Sequence, residues 1–283
     1  MICLFKLASM PILAAGAALP SLAHAADSPV SAAPAAAAVS YADLVDLADR
    51  TPLVVRAQIR KAVAVEPERA RNVRAGYIRA YVEAKTEAVI GGNTPLGEQL
   101  LYLVDVKADA KGKLPKLKKA SVILFARPVA GRPAELQLVA PDAQLPWDAA
   151  MESRVKAVLG ELYGAGAAPR ITGVREALHV GGNLAGEGET QLFLSSASGE
   201  PAAITVSRAG GATSMNASFS ELVGAGQGLP ARNTLAWYRL ACFLPPALPA
   251  GANIADAAED RSAAARDYRA VIEALGPCGR TRR

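Results

Sequence analysis

Two long stretches of the chain alternate between apolar and polar residues with a period of two. In residues 78–88, apolar residues alternate with Arg, Tyr, Glu and Lys, and in residues 55–65 the apolar positions are Val55, Ala57, Ile59, Val63 and Val65. This period is typical of strands that are buried on one face. Continuous apolar runs at Leu100–Val106 and Val122–Phe125 predict two more strands, and Glu135–Val139 is a fifth short strand. Five strands without a helical crossover favour a small antiparallel barrel.

The order of these segments is similar to that of a known fold. The similarity rests on Ala48-Asp-Arg-Thr-Pro-Leu-Val-Val-Arg-Ala57, the long charged strand, Ala120-Ser-Val-Ile-Leu-Phe-Ala-Arg-Pro128 and Glu135-Leu-Gln-Leu-Val139. Residues 41–146 resemble the OB-like five-stranded β-barrel found in many secreted bacterial proteins. The whole chain resembles secreted bacterial proteins of an uncharacterised family. This resemblance implies a fold rather than an activity, because such barrels have unrelated roles.

Helical spacing of apolar residues predicts four helices around the strands. One covers Tyr41–Ala48, and a second runs from Asp148 to Leu162, each with a capping residue at its start. Two more are predicted near the C-terminus, within residues 234–244 and 256–275, and each ends at proline or glycine.

A second set of strands follows the barrel segment. The period of two returns at Ile171, and strands at Glu189–Ser195 and Ala202–Arg208 are joined by turn residues, with a third strand at Met215–Phe219. The predicted fold class is therefore mainly β with flanking helices, or α+β. An OB-like antiparallel barrel precedes a second small antiparallel β unit packed with the C-terminal helices.

The N-terminus has the pattern of a secretory signal peptide. Lys6 precedes an apolar, Ala-rich stretch that ends at Ala23-His24-Ala25, a small-x-small cleavage site. Cleavage there removes one lysine and no acid, which lowers the formal charge from +5 to +4. We expect a periplasmic or secreted protein with no membrane span after cleavage. The predicted domains are a signal peptide at 1–25, a flexible leader at 26–40, the barrel at 41–146, a connecting helix and linker at 147–168, and the β unit with two helices at 169–283.

After cleavage the chain keeps two cysteines, Cys242 and Cys278, and a single histidine, His179. In an oxidising compartment, an even pair of cysteines indicates a disulfide first, and free or metal-binding thiols are the alternative. No metal site is predicted, because zinc sites use three or four Cys or His ligands. No cofactor is predicted either, since the Gly-rich stretches at 181–188 and 224–228 have no Gly-Lys-Ser/Thr and are interpreted as turns.

Two patterns suggest nucleophilic chemistry, each with a structural alternative. Ser153-Arg-Val-Lys156 matches the Ser-x-x-Lys motif of penicillin-recognising enzymes, but the Ser-Asp-Asn and Lys-Thr-Gly motifs of those enzymes do not occur. We interpret these residues as a solvated helix face. His179 could serve as a general base or as a hydrogen-bonded structural residue, and no Gly-x-Ser-x-Gly elbow accompanies it.

The most basic segment of the chain carries six lysines and forms the candidate binding surface: Lys107, Lys111, Lys113, Lys116, Lys118 and Lys119. One interpretation is a solvated hairpin whose lysines prevent aggregation at a sheet edge. The other is contact with an anionic envelope surface, such as lipid headgroups or polysaccharide. No nucleic-acid partner is expected, because no aromatic residue separates these lysines and the net charge is only mildly basic.

Two functions are consistent with this sequence. The first is a non-enzymatic secreted β-protein with a binding or scaffolding role. The second is a periplasmic hydrolase that uses carboxylates or His179, since glycosidases need only two acids. A concave cavity with two acids within about 10 Å of each other would favour the enzyme.

Overall fold

The computed structural model describes residues 39–220 and 228–282, and its first element is a capped helix. Helix α1 (Tyr41–Ala48) begins at Ser40, whose hydroxyl accepts the N–H of Asp43 while the Asp43 carboxylate accepts the N–H of Ser40. This reciprocal pair satisfies two N–H groups at the helix start. Leu44 and Leu47 are buried, so the helix packs into the core.

A six-stranded sheet closes into a barrel of five strands with one additional strand. Its strands are β1 (Leu53–Ala64), β2 (Tyr77–Gly91), β3 (Gln99–Lys107), β4 (Ser121–Val129), β5 (Arg132–Leu138) and β6 (Gln144–Pro146). The order is β1-β2-β3-β5-β4-β6, and pairing between β1 and β4 closes the barrel. One pairing is parallel, between Leu101 of β3 and Glu135 of β5, so the barrel is mixed rather than wholly antiparallel.

A β-bulge changes the direction in which β1 presents its side chains. The pairing of β1 with β2 shifts register between Ile59 and Lys61. An extra residue in a strand moves the residues after it to the opposite face. Ile59 is therefore fully buried, whereas Val63 is 49% exposed. The prediction that Val63 lies on the buried face is wrong for this reason.

The lysine-rich segment is not a hairpin. The strands on its two sides, β3 and β4, do not pair with each other, because β5 lies between them in the sheet. The segment instead crosses one end of the barrel, where Lys119 donates its N–H to Ile59 of β1. The hairpin interpretation is therefore wrong, since a period of two shows that strands exist but not which strands are neighbours.

The second half of the chain forms an antiparallel sheet covered by helices. Its elements are α2 (Ala149–Tyr163), β7 (Ile171–Gly181), β8 (Gly188–Ser196), β9 (Ala202–Ala209), β10 (Ala212–Ser218), α3 (Leu235–Ala241), a 3₁₀ turn (Ala250–Ala252) and α4 (Ala258–Leu275). The strand order is β10-β9-β8-β7, and α4 packs against β7 and β8. The predicted α+β class, with a barrel followed by a second antiparallel unit, is confirmed.

The two β units share one hydrophobic core. Leu192 and Ile204 of the second sheet belong to the same buried cluster as Phe125 of the barrel, and Trp237 and Tyr268 join it from the helices. Residues 39–283 form one compact unit by their contacts. The predicted signal peptide, and the predicted leader up to residue 38, lie outside the described residues.

The C-terminal residues return to α1. The sulfur atoms of Cys242 and Cys278 are 2.05 Å apart, so the predicted pair is placed as a disulfide just beyond α3 and α4. Beyond it, Arg280 forms an ion pair with Asp46, and the backbone and hydroxyl of Thr281 donate to Asp43. The two ends of the described chain are thus held together by polar contacts.

Candidate binding groove on the barrel

A groove of about 1180 Å³ lies on the outer surface of the barrel. Its base is formed by β2 and β3. One wall consists of the end of β1 and the start of the loop that follows it. The other wall consists of β5 and residues 139–141. We call it the barrel groove. The strands β3 and β5 pair only at Leu101 and Glu135. Because the paired part of these two strands is so short, the surface beside it is open.

Three large apolar side chains lie next to one another in the barrel groove. Val63 of β1 is opposite Tyr81 of β2, which in turn is opposite Leu103 of β3. Their exposed fractions are 49%, 41% and 49%, respectively. Single exposed apolar residues are common, but a contiguous set on a concave surface marks a binding site.

Ion pairs surround this apolar strip. Arg79 donates two hydrogen bonds to Asp105, at 2.7 and 2.8 Å, and the Asp105 carboxylate raises the pKa of the Arg79 guanidinium above its usual value. On the other side of the strip, Lys61 lies 3.4 Å from Glu83 of the neighbouring strand. Arg132 contacts Glu135 at 3.0 Å on the far wall.

The charges that line the groove balance. Its cationic residues are Lys61, Arg69, Arg79 and Arg132, and its acidic residues are Glu66, Glu83, Asp105 and Glu135. The lining is therefore formally neutral, and three of its four carboxylates are held in ion pairs. Such a surface offers many hydrogen-bonding groups but has little attraction for a highly charged ligand.

Arg79 also holds the loop after β1 in place. The remaining guanidinium nitrogen, Nη1, donates to the carbonyl of Arg71 at 3.1 Å. The backbone carbonyl of Arg79 accepts the N–H of Val65. The loop of residues 65–76 is thereby fixed beside β2, and its Arg69 reaches the groove. At the opposite wall, the N–H of Asp105 donates to the carbonyl of Pro141 at 2.7 Å.

The six predicted lysines lie outside the barrel groove. All of them are exposed: Lys107 ends β3, and the other five lie on the segment between β3 and β4. None lines the groove or forms a salt bridge with a described residue. They are therefore available for other contacts.

His179 belongs to a buried polar network. Its Nδ1 lies 2.8 Å from the hydroxyl of Thr190, which donates to Asp267 of α4 at 2.5 Å. Arg208 donates to the same carboxylate at 2.8 Å. Since the Thr190 hydroxyl donates its proton to Asp267, its oxygen is left to accept a hydrogen bond from Nδ1 of His179.

This network does not form a catalytic triad within the described residues. Thr190 is fully buried, so its hydroxyl cannot reach a substrate. The other side of the His179 ring packs against Gly188, where a Cβ atom would come within 2.8 Å of Nε2. The network connects α4 to β8 and β9 and so helps to hold the helix on the sheet.

The Ser-x-x-Lys pattern is not assembled either. The Lys156 ammonium lies 2.7 Å from Glu152. Ion pairing with Lys156 and hydrogen bonds from Trp147 and Arg56 lower the pKa of Glu152 to about 2. Ser153 is an exposed residue on α2, so the interpretation as a solvated helix face agrees with these contacts.

Other predicted features are placed as follows. The stretch 181–188 forms the turn between β7 and β8, whereas most of 224–228 lies outside the described residues. No group of three or more His, Cys, Asp or Glu suited to a metal ion occurs in residues 39–220 and 228–282. In the same part of the chain, no helix is long and apolar enough to cross a membrane.

The barrel has the architecture of a known type of module. A closed five-stranded mixed barrel with an extra strand is consistent with an OB-like barrel. No protein-family model matches the chain, and no curated protein matches its sequence. The geometry of the groove is therefore the basis for inferring a function.

Sequence reasoning missed this site. The alternation correctly predicts Tyr81 on the polar face of β2. An aromatic residue among Arg79, Glu83 and Lys85 is the one feature of the sequence that could have indicated a binding surface there. Leu103 lies inside a continuous apolar run, so nothing in the pattern distinguishes it from its buried neighbours. The period of two predicts Val63 on the buried face, and the bulge in β1 places it on the exposed face instead.

Proposed function

We propose that the protein is an exported, non-enzymatic binding protein whose barrel groove holds an extended, uncharged oligosaccharide. The observation that carries this proposal is the contiguous strip of Val63, Tyr81 and Leu103, exposed in a groove of about 1180 Å³ with balanced charges. The corresponding face of OB-like barrels binds oligosaccharides or oligonucleotides.

The chemistry of the groove favours a sugar over a nucleic acid. Tyr81 offers a flat apolar ring against which the C–H face of a sugar can pack. The ion pairs beside it, Arg79 with Asp105 and Lys61 with Glu83, present donors and acceptors for hydroxyl groups. A nucleic acid would instead need an excess of positive charge to neutralise its phosphates, and the lining is neutral.

Export supports the same proposal. The N-terminal pattern of a signal peptide and the Cys242–Cys278 pair are both typical of a protein that works in the periplasm or outside the cell. Glycans are abundant ligands there. We therefore place the protein in the periplasm or the extracellular space as part of this proposal.

One observation favours the second candidate, a glycoside hydrolase. Glu83 and Glu135 are both opposite Leu101, one on each neighbouring strand, and both line the groove. Their backbones are thus about 10 Å apart, two strand spacings, which is compatible with the separation in inverting glycosidases. However, both carboxylates are already held in ion pairs, Glu83 with Lys61 and Glu135 with Arg132.

The experiment is a titration of the exported chain with soluble neutral oligosaccharides, including maltohexaose, cellohexaose and chitohexaose. Binding is followed by calorimetry and by amide chemical shifts. We expect shifts at the strands of the groove, and Tyr81→Ala should weaken binding by about tenfold, equivalent to about 1.4 kcal/mol. The matched control is Tyr163→Ala, which removes a tyrosine that is 69% exposed on α2 and outside the groove.

Three outcomes distinguish the candidates. Binding without cleavage that depends on Tyr81 supports the binding protein. Cleavage of the sugar that is abolished by Glu83→Gln or Glu135→Gln supports the hydrolase. If no oligosaccharide shifts the groove amides, or if Tyr163→Ala is as damaging as Tyr81→Ala, the proposal is wrong.

A further inference from the structure

The positive charge of the chain is concentrated at one end of the barrel. Residues 107–120, which we call the lysine loop, contain six lysines and one acid, Asp109. Their net charge of +5 equals that of all 283 residues, so the rest of the chain is neutral overall. A patch of this kind attracts anionic partners that the rest of the protein would not.

The lysine loop has a defined conformation. The Asp109 carboxylate accepts the N–H groups of Lys111 and Lys113, both at 2.8 Å. Leu114 and Leu117 pack against the core. At the end of the loop, Lys119 donates its N–H to the carbonyl of Ile59, and Ile59 donates its N–H to the carbonyl of Ala120, which connects the loop to β1. The lysines are therefore presented from an ordered surface, which reduces the entropy lost on binding.

The neighbouring loop lies at the same end and carries both signs of charge. Ala108 donates its N–H to the carbonyl of Gly76, so the lysine loop begins where the loop of residues 65–76 ends. In that second loop, exposed Arg69 and Arg71 are offset by exposed Glu66 and Glu68. The lysine loop therefore carries the excess positive charge at this end, and the rim of the barrel groove lies nearby at Arg69.

The shape and composition of this surface favour a flat partner. None of the six lysines lines the barrel groove, so a polyanion bound in the groove would not contact them. The two leucines of the loop point into the core, so the loop has no large apolar residue to insert into a bilayer. Lysine ammonium groups are point charges that suit diffuse attraction to many headgroups rather than the bidentate capture of one carboxylate.

We infer that the lysine loop docks the barrel reversibly onto an anionic phospholipid bilayer. The attraction is electrostatic and acts at the surface, without insertion. Docking through this end would place the rim of the barrel groove next to the bilayer. The inference is independent of the groove ligand, because different residues carry the two activities.

The experiment measures co-sedimentation of the full chain from Ala26 with vesicles of phosphatidylcholine containing about 30% phosphatidylglycerol. We expect binding at low ionic strength and a large loss near about 0.15 M salt, where the screening length is about 8 Å. Each lysine near the surface contributes about fivefold to partitioning, so replacing Lys116, Lys118 and Lys119 with Gln should reduce it about a hundredfold.

The matched control removes the same charge elsewhere. Arg50, Arg266 and Arg269 are exposed; Arg50 precedes the first strand at its other end, and the other two lie on α4. Replacing these three with Gln should leave vesicle binding within about twofold, since they lie away from the lysine loop. Tyr81→Ala should also leave it unchanged, which separates this inference from the groove proposal.

Several results would overturn the inference. The triple lysine variant could bind as tightly as the parent, or the arginine control could lose binding equally. Equal binding to vesicles of phosphatidylcholine alone would show that charge is not the cause. Tighter binding to soluble alginate than to vesicles would assign the surface to an acidic polysaccharide instead of a bilayer.

Discussion

Asp43 provides the sharpest test of how the two ends of the chain are held together. Its side chain is 0% exposed. One carboxylate oxygen accepts the N–H groups of Thr281 and Arg282, both at 3.0 Å. The other accepts the N–H of Ser40 at 3.2 Å and the Thr281 hydroxyl at 2.5 Å. Four donors thus converge on one buried carboxylate.

The substitution Asp43→Asn preserves the shape of this side chain but changes its hydrogen bonding. The amide oxygen can keep two of the four donors, whereas the new NH₂ group faces the N–H of Ser40, which cannot accept. A hydrogen bond to a charged group contributes about 1.5–3 kcal/mol, and a buried unpaired donor costs a similar amount. We expect the free energy of unfolding to fall by about 3 kcal/mol, with a Tm decrease of roughly 10 °C.

The effect should depend on pH in a defined direction. Burial of Asp43 favours its neutral form, but the hydrogen bonds from Thr281, Arg282 and Ser40 outweigh burial and lower the pKa of the carboxyl below its usual value. A lowered pKa in the folded state stabilises the protein above the unfolded pKa of about 3.9, and this stabilisation is lost as the pH falls through the folded pKa. The difference between parent and Asp43→Asn should therefore be complete at neutral pH and shrink in acid.

Urea unfolding followed by tryptophan fluorescence, at several pH values between about 7 and 3, measures this difference. The pKa of Asp49 is also lowered: burial opposes this shift, but hydrogen bonds from Arg239 and Arg170 outweigh it. Because Asp49 is present in both proteins, its contribution cancels in the comparison. Asp256→Asn, at an exposed position, is the control and should change stability by less than about 0.5 kcal/mol. A loss below about 1 kcal/mol at neutral pH, or one that does not change with pH, would refute the reasoning.

Two further predictions concern export and the cysteine pair. N-terminal sequencing of the exported protein should find Ala26 as the first residue, and recovery of Met1 in washed membranes would contradict export as a free protein. Thiol titration of the unfolded, unreduced protein should find no free Cys242 or Cys278. The double replacement by Ser should reduce stability by about 4 kcal/mol, since the pair closes a segment with a sequence separation of 36 residues.

The disulfide and the contacts of Asp43 act on the same segment. Cys278 precedes Arg280 and Thr281, which reach Asp46 and Asp43 of α1. The disulfide restricts where these residues can lie in the unfolded chain, so it lowers the entropy cost of placing them on α1. The carboxylates of α1, near the start of the chain, are therefore fully paired only once the last residues are in place.

Much of the secondary structure could be predicted because its causes are local. The capping residues Ser40, Asp148 and Thr234 accept N–H groups at the starts of α1, α2 and α3. The predicted strand Ala202–Arg208 and helix Asp256–Leu275 differ from β9 and α4 by one or two residues at their ends. Hydrophobic period, caps and turn residues depend only on near neighbours in the chain, so they can be interpreted without knowing the fold.

The candidate site depended on contacts between distant residues. Tyr81 and Leu103 are 22 positions apart and meet only through the register of β2 and β3, while Val63 joins them only because of a bulge in β1. The parallel contact of Leu101 with Glu135 arises from closure of the barrel, which no local pattern encodes. Local chemistry was therefore sufficient to predict the helices, the disulfide, the basic segment and most strands, though not the short β6. Strand register and barrel closure decided which side chains form the groove.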